Sequence, residues 1–254
     1  MSSRIEHENY WETLMIRTIP FKFPGISGVR CLFTVRGPGM DGNLSLEVGE
    51  AEESVRRRRG ELRGRFMWPG WAELRQAHGT RIVFEPGTEG FFGPEQDGDG
   101  LATRQRGLPL VVKTADCQAL LMTDGSGSHV GALHCGWRGN RANFPGRGVA
   151  EFCGRYGLEP ENVHVIRGPS LGPDHSEFVG FEKEWGPGFA AYYREADKTM
   201  DLWRLTRDQL LGAGVPEYQI YGLDICTFES MDLFFSYRRE KQCGRQTALI
   251  WMEK

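Results

Sequence analysis

The sequence predicts an α+β protein, and three observations carry that reading. Short apolar runs of strand length recur along the chain. Helix-length segments are interspersed among them without strict strand–helix alternation, which argues against a doubly wound sheet. The 34 glycines fall between the apolar runs, where turns belong.

Taken in order, residues 29–35 read as a strand stopped by Gly37-Pro38-Gly39. Residues 50–62 read as a charged surface helix. Residues 81–85 form a strand ended by Pro86-Gly87, and 93–100 is a loop rich in Gly and Asp. Leu108 to Lys113, Ala119 to Thr123 and His129 to His134 are short and apolar, as strands covered on both faces are. Asp116 and Cys117 break the first from the second, and Asp124-Gly-Ser-Gly connects the second to the third. Residues 146–156 read as a helix with Gly157 at the position that ends it. A strand is expected at 162–166, and helices at 189–195 and 201–211, the last capped by Asp201. Residues 219–225 and 246–252 complete the strands.

At 254 residues, with 39% hydrophobic and 26% charged residues, the chain suits one domain spanning 1–254 with a substantial core. Residues 1–20 lack an apolar core segment and read as a mobile leading stretch. A formal net charge of −3 gives no global field for nucleic acid. Arg56 to Arg59 reads as a solvated helix face beside Glu50, Glu52, Glu53 and Glu61. No run approaches the ~20 apolar residues that span a bilayer. The six cysteines form no C-x-x-C pair, so the protein reads as reduced and cytoplasmic.

Chemistry concentrates where polar residues interrupt apolar strands. Asp116-Cys117 places a charge in an apolar region, a costly placement unless it is paired. His134 ends the third short strand, and Gly136-Trp137-Arg138-Gly139 follows. Upstream, Gln76-Ala77-His78-Gly79 puts a histidine at a turn. His78, Cys117 and His134 make a plausible three-ligand zinc site with an open position, the mark of a catalytic metal. Cys135 competes with His134, but strand neighbours face opposite sides, and His134 is the choice. His129, His164 and His175 have no partner at ligand spacing and read as structural or exposed, and His7 as surface. Arg138 offers a cation suited to phosphate or carboxylate. Gln76 and Arg36 are further candidates for binding substrate, and Asp116 for orienting a ligand or carrying a proton.

Several motifs occur in an order that resembles the laccase-domain proteins, also called multicopper polyphenol oxidase-like or purine nucleoside phosphorylase family proteins. They are Gln76-Ala-His-Gly, Asp99-Gly-Leu-Ala-Thr, Thr114-Ala-Asp-Cys, His134-Cys-Gly-Trp-Arg-Gly, Gly168-Pro-Ser-Leu-Gly, Asp224-Ile-Cys-Thr and Phe235-Ser-Tyr-Arg-Arg with Gly244-Arg245. The resemblance runs from about Phe33 to Trp251. It implies a cysteine-hydrolase-like fold with α/β/β/α layers, and zinc, rather than copper, held by His78, Cys117 and His134. It implies phosphorolysis of adenosine, inosine, guanosine and methylthioadenosine, and deamination of adenosine. The partners so implied are a small nucleoside and phosphate, with no nucleic acid, no membrane and no assigned oligomeric state. The chain departs from the family pattern at Glu47, Arg57, Ala119 and Cys135.

Two chemistries are disfavoured by counting. A multicopper oxidase needs about ten histidines, given copper's preference for imidazole, and this chain has six. A cytidine-deaminase site needs H-x-E with P-C-x-x-C, and P-C-x-x-C is absent. Two rivals remain: a peptidoglycan-precursor amidase with Cys117 as nucleophile, and a domain that binds zinc without catalysis.

Overall fold

A computed structural model describes residues 16–37, 42–94 and 96–254. The strands in chain order are β1 (Arg17–Phe21), β2 (Val29–Val35), β3 (Ala72–Glu73), β4 (Ile82–Phe84), β5 (Gly100–Thr103), β6 (Leu110–Thr114) and β7 (Gln118–Asp124). They continue with β8 (Val130–Cys135), β9 (Val163–Arg167), β10 (Tyr193–Arg194), β11 (Thr199–Met200), β12 (Ile220–Gly222) and β13 (Gln246–Met252). The helices are α1 (Glu52–Arg65), α2 (Trp137–Arg141), α3 (Phe144–Tyr156), α4 (Phe181–Glu184), α5 (Leu202–Gly212) and α6 (Tyr237–Glu240).

The main strands form two mixed sheets, one ordered β1-β2-β13-β6-β3 and the other β12-β9-β7-β8-β5-β4. They face each other across a shared core: Val29, Cys31 and Phe33 of β2 and Leu110 and Val112 of β6 meet Leu121 of β7 and Ala132 of β8. The outer face of the first sheet is covered by Leu62 of α1 with Trp68 and Trp71. The outer face of the second is covered by Val149 and Phe152 of α3 and Leu210 of α5. The α/β/β/α order is thus present, and β6, β7, β8 and β13 are buried at every position, as their apolar sequences require.

Local signals set several boundaries. Gly157 ends α3 at φ 66°, and its N–H donates to the Cys153 carbonyl. The Asp201 carboxylate accepts the Arg204 N–H at 2.9 Å and caps α5. Expectation and structure part in four places. Residues 189–195 are not a helix: Pro187–Tyr192 is a 3-10 turn leading into β10. Its aromatic residues diverge, Phe189 packing on Trp185 and Tyr193 stacking on Phe181 at 4.1 Å. Second, residues 219–225 yield only the three-residue β12. Third, the expected loose stretch to residue 20 includes β1, which pairs antiparallel with β2; His7 and the turn at Pro38-Gly39 fall outside the described residues.

The fourth is the arginine run. Arg58 and Arg59 are buried, not solvated. Arg58 pairs with Glu50, and Arg59 Nη2 with Glu73 Oε2 at 2.7 Å. Glu50 stands beside the run in the sequence, but Glu73 lies on β3, so the helix sequence alone does not reveal the Arg59 pairing.

Candidate metal centre and cavity

The centre is built at the ends of β7 and β8. Cys117 sits just before β7, and His134 near the end of β8, where Ala119 and His134 are paired in the antiparallel register. His78 comes from a turn in which it takes φ 58°, and Asp116, before the cysteine, takes φ 90°. Both are left-handed conformations that a non-glycine residue rarely adopts. Ligand atoms of His78, Cys117 and His134 all lie within 4.8 Å of one another. The Cys117 sulfur is 3.9 Å from His78 Nε2.

Asp99 organises this convergence. Its carboxylate accepts the backbone N–H of His78 at 2.9 Å and of Gly79 at 2.7 Å, which fixes the histidine turn. It also lies 2.8 Å from His134 Nδ1, leaving Nε2 of that ring for the centre. Metal-binding imidazoles are commonly oriented by a carboxylate in this way. An Asp in a Gly-Asp loop reads as a turn residue, so its place in the sequence does not reveal this role. Nor does the sequence reveal the role of Gly136. A Cβ there would meet His78 Cδ2 at 2.9 Å and Cys117 Sγ at 3.1 Å, so only glycine leaves these ligands their space.

Electrostatics favour the thiolate form of Cys117. Burial raises the Cys117 thiol, but His134 and His78 outweigh it and bring the group down to about 6. Burial lowers His134, but Cys117 and Asp99 raise it to about 9. Asp99 is raised by burial yet held below the ordinary carboxylate range, chiefly by His134 and the turn amides. Two imidazoles and a readily ionised thiol are a donor set that suits zinc. Cys135 is turned into the core between β8 and α3, as strand alternation predicts.

These donors open into a cavity of about 840 Å³. Trp137, packed on Phe178 and Trp185 with ring centroids 5.8 Å away in each case, forms one aromatic wall. Arg138 is exposed and lies over the Trp137 ring at 4.4 Å. Arg238, Lys241 and Arg245 add further cations to the lining, and Tyr237 a further aromatic surface. Phe235-Ser-Tyr-Arg-Arg thus supplies cavity residues for which the sequence indicated no role.

Other candidates have different surroundings. Gln76 lines the cavity, and its amide exchanges two hydrogen bonds of 2.7 Å with the main chain of Lys113. Arg36 lies outside the cavity lining, paired with Glu240 and 5.0 Å from the Phe235 ring centroid. The Asp116 carboxylate accepts from Thr227 Oγ1 at 2.7 Å and the Arg238 N–H at 2.6 Å, so it ties the loop wall to the strand end. Glu47 adds no unpaired charge, because Lys113 Nζ binds it at 2.8 Å. His129 pairs with Asp124, and His164 lies beside Tyr221, as structural histidines do. His175 departs from the expectation: Cys226 and Glu229 stand with it.

Residues 30–253 match the family described as multi-copper polyphenol oxidoreductase laccase, and the chain belongs to that family. A purine nucleoside phosphorylase of Xylella fastidiosa (strain 9a5c) is 32% identical over 252 residues, 91% of this chain and 95% of that protein. The purine nucleoside phosphorylase YfiH of Escherichia coli (strain K12) is 32% identical over 222 residues, 83% of this chain and 86% of that protein. The crystal structure of YlmD from Geobacillus stearothermophilus superposes with a TM-score of 0.82 at 28% identity, covering 91% of this chain and 94% of that one. Among the described residues, no helix is long and apolar enough to cross a membrane.

Proposed function

We propose that this protein is a zinc-dependent purine nucleoside phosphorylase that also deaminates adenosine and accepts methylthioadenosine. One observation carries the reading: three zinc-type donors converge in the lining of a cavity that also presents aromatic and cationic side chains. The names of the relatives support the phosphorylase assignment.

His78, Cys117 and His134 would hold the ion. When bound, zinc supplies Lewis acidity at its open coordination position. The protein's own residues do the rest. Trp137, Phe178 and Tyr237 offer flat apolar surface for a purine ring. Arg138 and Arg238 supply positive charge for phosphate. In phosphorolysis a phosphate oxygen bonds to the anomeric carbon of ribose, the glycosidic C–N bond breaks, and its electron pair leaves with the base. Asp116 acts as a positioning residue through Thr227 and Arg238. The cytoplasm, where reduced thiols persist, suits six free cysteines.

Chromatography of products from adenosine and phosphate tests the proposal. Adenine with ribose 1-phosphate is expected from phosphorolysis, and inosine or hypoxanthine from deamination. Intact adenosine in zinc-loaded protein overturns it.

A second reading rests on the low thiol pKa of Cys117 beside a readily protonated His134. In that reading Cys117 is the nucleophile of an amidase acting on a peptidoglycan precursor. Iodoacetamide discriminates: zinc protects a ligand thiol, whereas a nucleophile forms a covalent adduct with its substrate.

A further inference from the structure

A second set of metal-binding donors lies outside the centre described above. Ligand atoms of His175, Cys226 and Glu229 all lie within 4.8 Å of one another. They come from two turns that are joined through the main chain. Ser170 and Cys226 form a parallel bridge, and the Thr227 N–H donates to the Ser170 carbonyl at 3.0 Å. The His175 N–H donates to Gly172 O at 3.1 Å, and the Ser230 N–H to Cys226 O at 3.0 Å, so each turn is closed on itself.

The side chains are pre-set. The His175 ring stacks on Phe228 at 4.3 Å, with Nε2 3.0 Å from Glu229 Oε1. Cys226 is buried, and its sulfur accepts the Gly172 N–H at 3.2 Å. Gly172 allows this approach, since a Cβ there would meet Cys226 Sγ at 3.1 Å. Glu229 is exposed and leaves the set open to solvent. A surface ion pair accounts for His175 and Glu229 but not for the convergence of the Cys226 sulfur on them. Imidazole, thiolate and carboxylate together suit zinc, whereas calcium and magnesium take oxygen ligands.

We propose that His175, Cys226 and Glu229 bind a second divalent cation of the zinc class. Three protein ligands leave a position for water. The site braces the cavity wall from outside. Thr227, next to Cys226, donates to Asp116, and Leu171 N–H donates to the Asp116 carbonyl at 2.9 Å. Asp116 immediately precedes Cys117, so the cation orders the segments that hold the first centre's cysteine.

The test uses the full-length chain, stripped with a chelator and reloaded with zinc or cobalt. Wild type is expected to hold about two equivalents, one for each donor set. His175→Ala is expected to lose about one of them, since a two-ligand remnant holds zinc poorly. Cys117→Ser isolates the new site: a sulfur-to-cobalt charge-transfer band must persist there, and adding His175→Ala must remove it. Unchanged metal content in His175→Ala overturns the proposal. So does folded Cys117→Ser protein that takes up no cobalt, or a band in that variant that survives His175→Ala. If Cys117→Ser does not fold, the wild-type and His175→Ala comparison decides alone. None of these outcomes depends on turnover of a nucleoside.

Discussion

At β6 and β3, Arg59, Glu73 and Lys113 bury their charges against one another; beside β7 and β8, buried Asp99 and His134 meet the half-buried Cys117. In the first cluster the polar capacity is almost filled. Arg59 donates to Glu73, to the Leu44 carbonyl and to the Gly90 carbonyl, with only Nε lacking a partner. Glu73 also takes hydrogen bonds from Trp71 Nε1 at 2.9 Å and Lys113 Nζ at 2.7 Å. In the second cluster one carboxylate is filled, yet the atoms it positions converge and point at one another. Buried charge alone therefore does not mark a functional site. Converging donors with ligand capacity, held by a partner that is itself satisfied and open to a cavity, do.

The sharpest way to break this comparison is to remove one member from each cluster. Cys117→Ser should lose bound zinc and more than about 100-fold in activity, exceeding the effect of an outer-shell change. Its unfolding midpoint in metal-free protein should move little. Arg59→Met should do the reverse, costing about 3–5 kcal/mol because Glu73 is left buried without that partner. Urea unfolding measures that loss, and elemental analysis should find the zinc content of the folded fraction unchanged. If Arg59→Met emptied the metal site while leaving stability intact, the division between the clusters would fail.

Asp99→Asn sharpens the comparison within the second cluster. The amide keeps a side chain of similar shape, so the turn at 77–79 retains an acceptor. It removes the negative charge that supports His134. Loss of such a partner to a metal-binding histidine typically costs about 10–100-fold in metal affinity or activity. Competition with a chelator should show weaker zinc binding, and Cys117→Ser should remain the more damaging change.

What the sequence reveals follows the same division. Cys117 and His134 are legible because each interrupts or ends a short apolar run, His78 because it stands at a turn before a glycine, and strand alternation separates His134 from Cys135. Strands β6, β7, β8 and β13 are legible because burial on both faces leaves continuous apolar stretches. Asp99 is not, because an Asp among glycines reads as a turn, while the ring it orients lies 35 residues away. Arg59 is hidden in the same way, since Glu73 is 14 residues distant and on another element. His175 and Glu229 are 54 residues apart, and only the bridge between their turns brings them together. Local patterns expose groups whose neighbours along the chain differ from them; they miss groups defined by distant partners.

The smallest effect lies far from both clusters, in the turn between β7 and β8. The Asp124 carboxylate accepts backbone N–H groups of Ser126 at 3.1 Å, Ser128 at 2.9 Å and His129 at 2.7 Å. Burial raises this acid, but the Ser126 hydroxyl and the turn amides outweigh it and hold the group below its usual range. The folded state therefore releases this proton more readily than the unfolded chain, in which an aspartate titrates near ~3.9. Its stabilisation is present in full above that value and fades as pH falls through the lower folded-state pKa. Asp124→Asn should cost about 1–2 kcal/mol near neutral pH, in keeping with hydrogen bonds to a charged acceptor. The difference from wild type should shrink as the pH is lowered below ~4, where the wild-type carboxylate takes up its proton. Urea unfolding across that range measures it. A gap that widened toward acid would mean that this carboxylate is not stabilised by the turn, while zinc content should stay constant in either case.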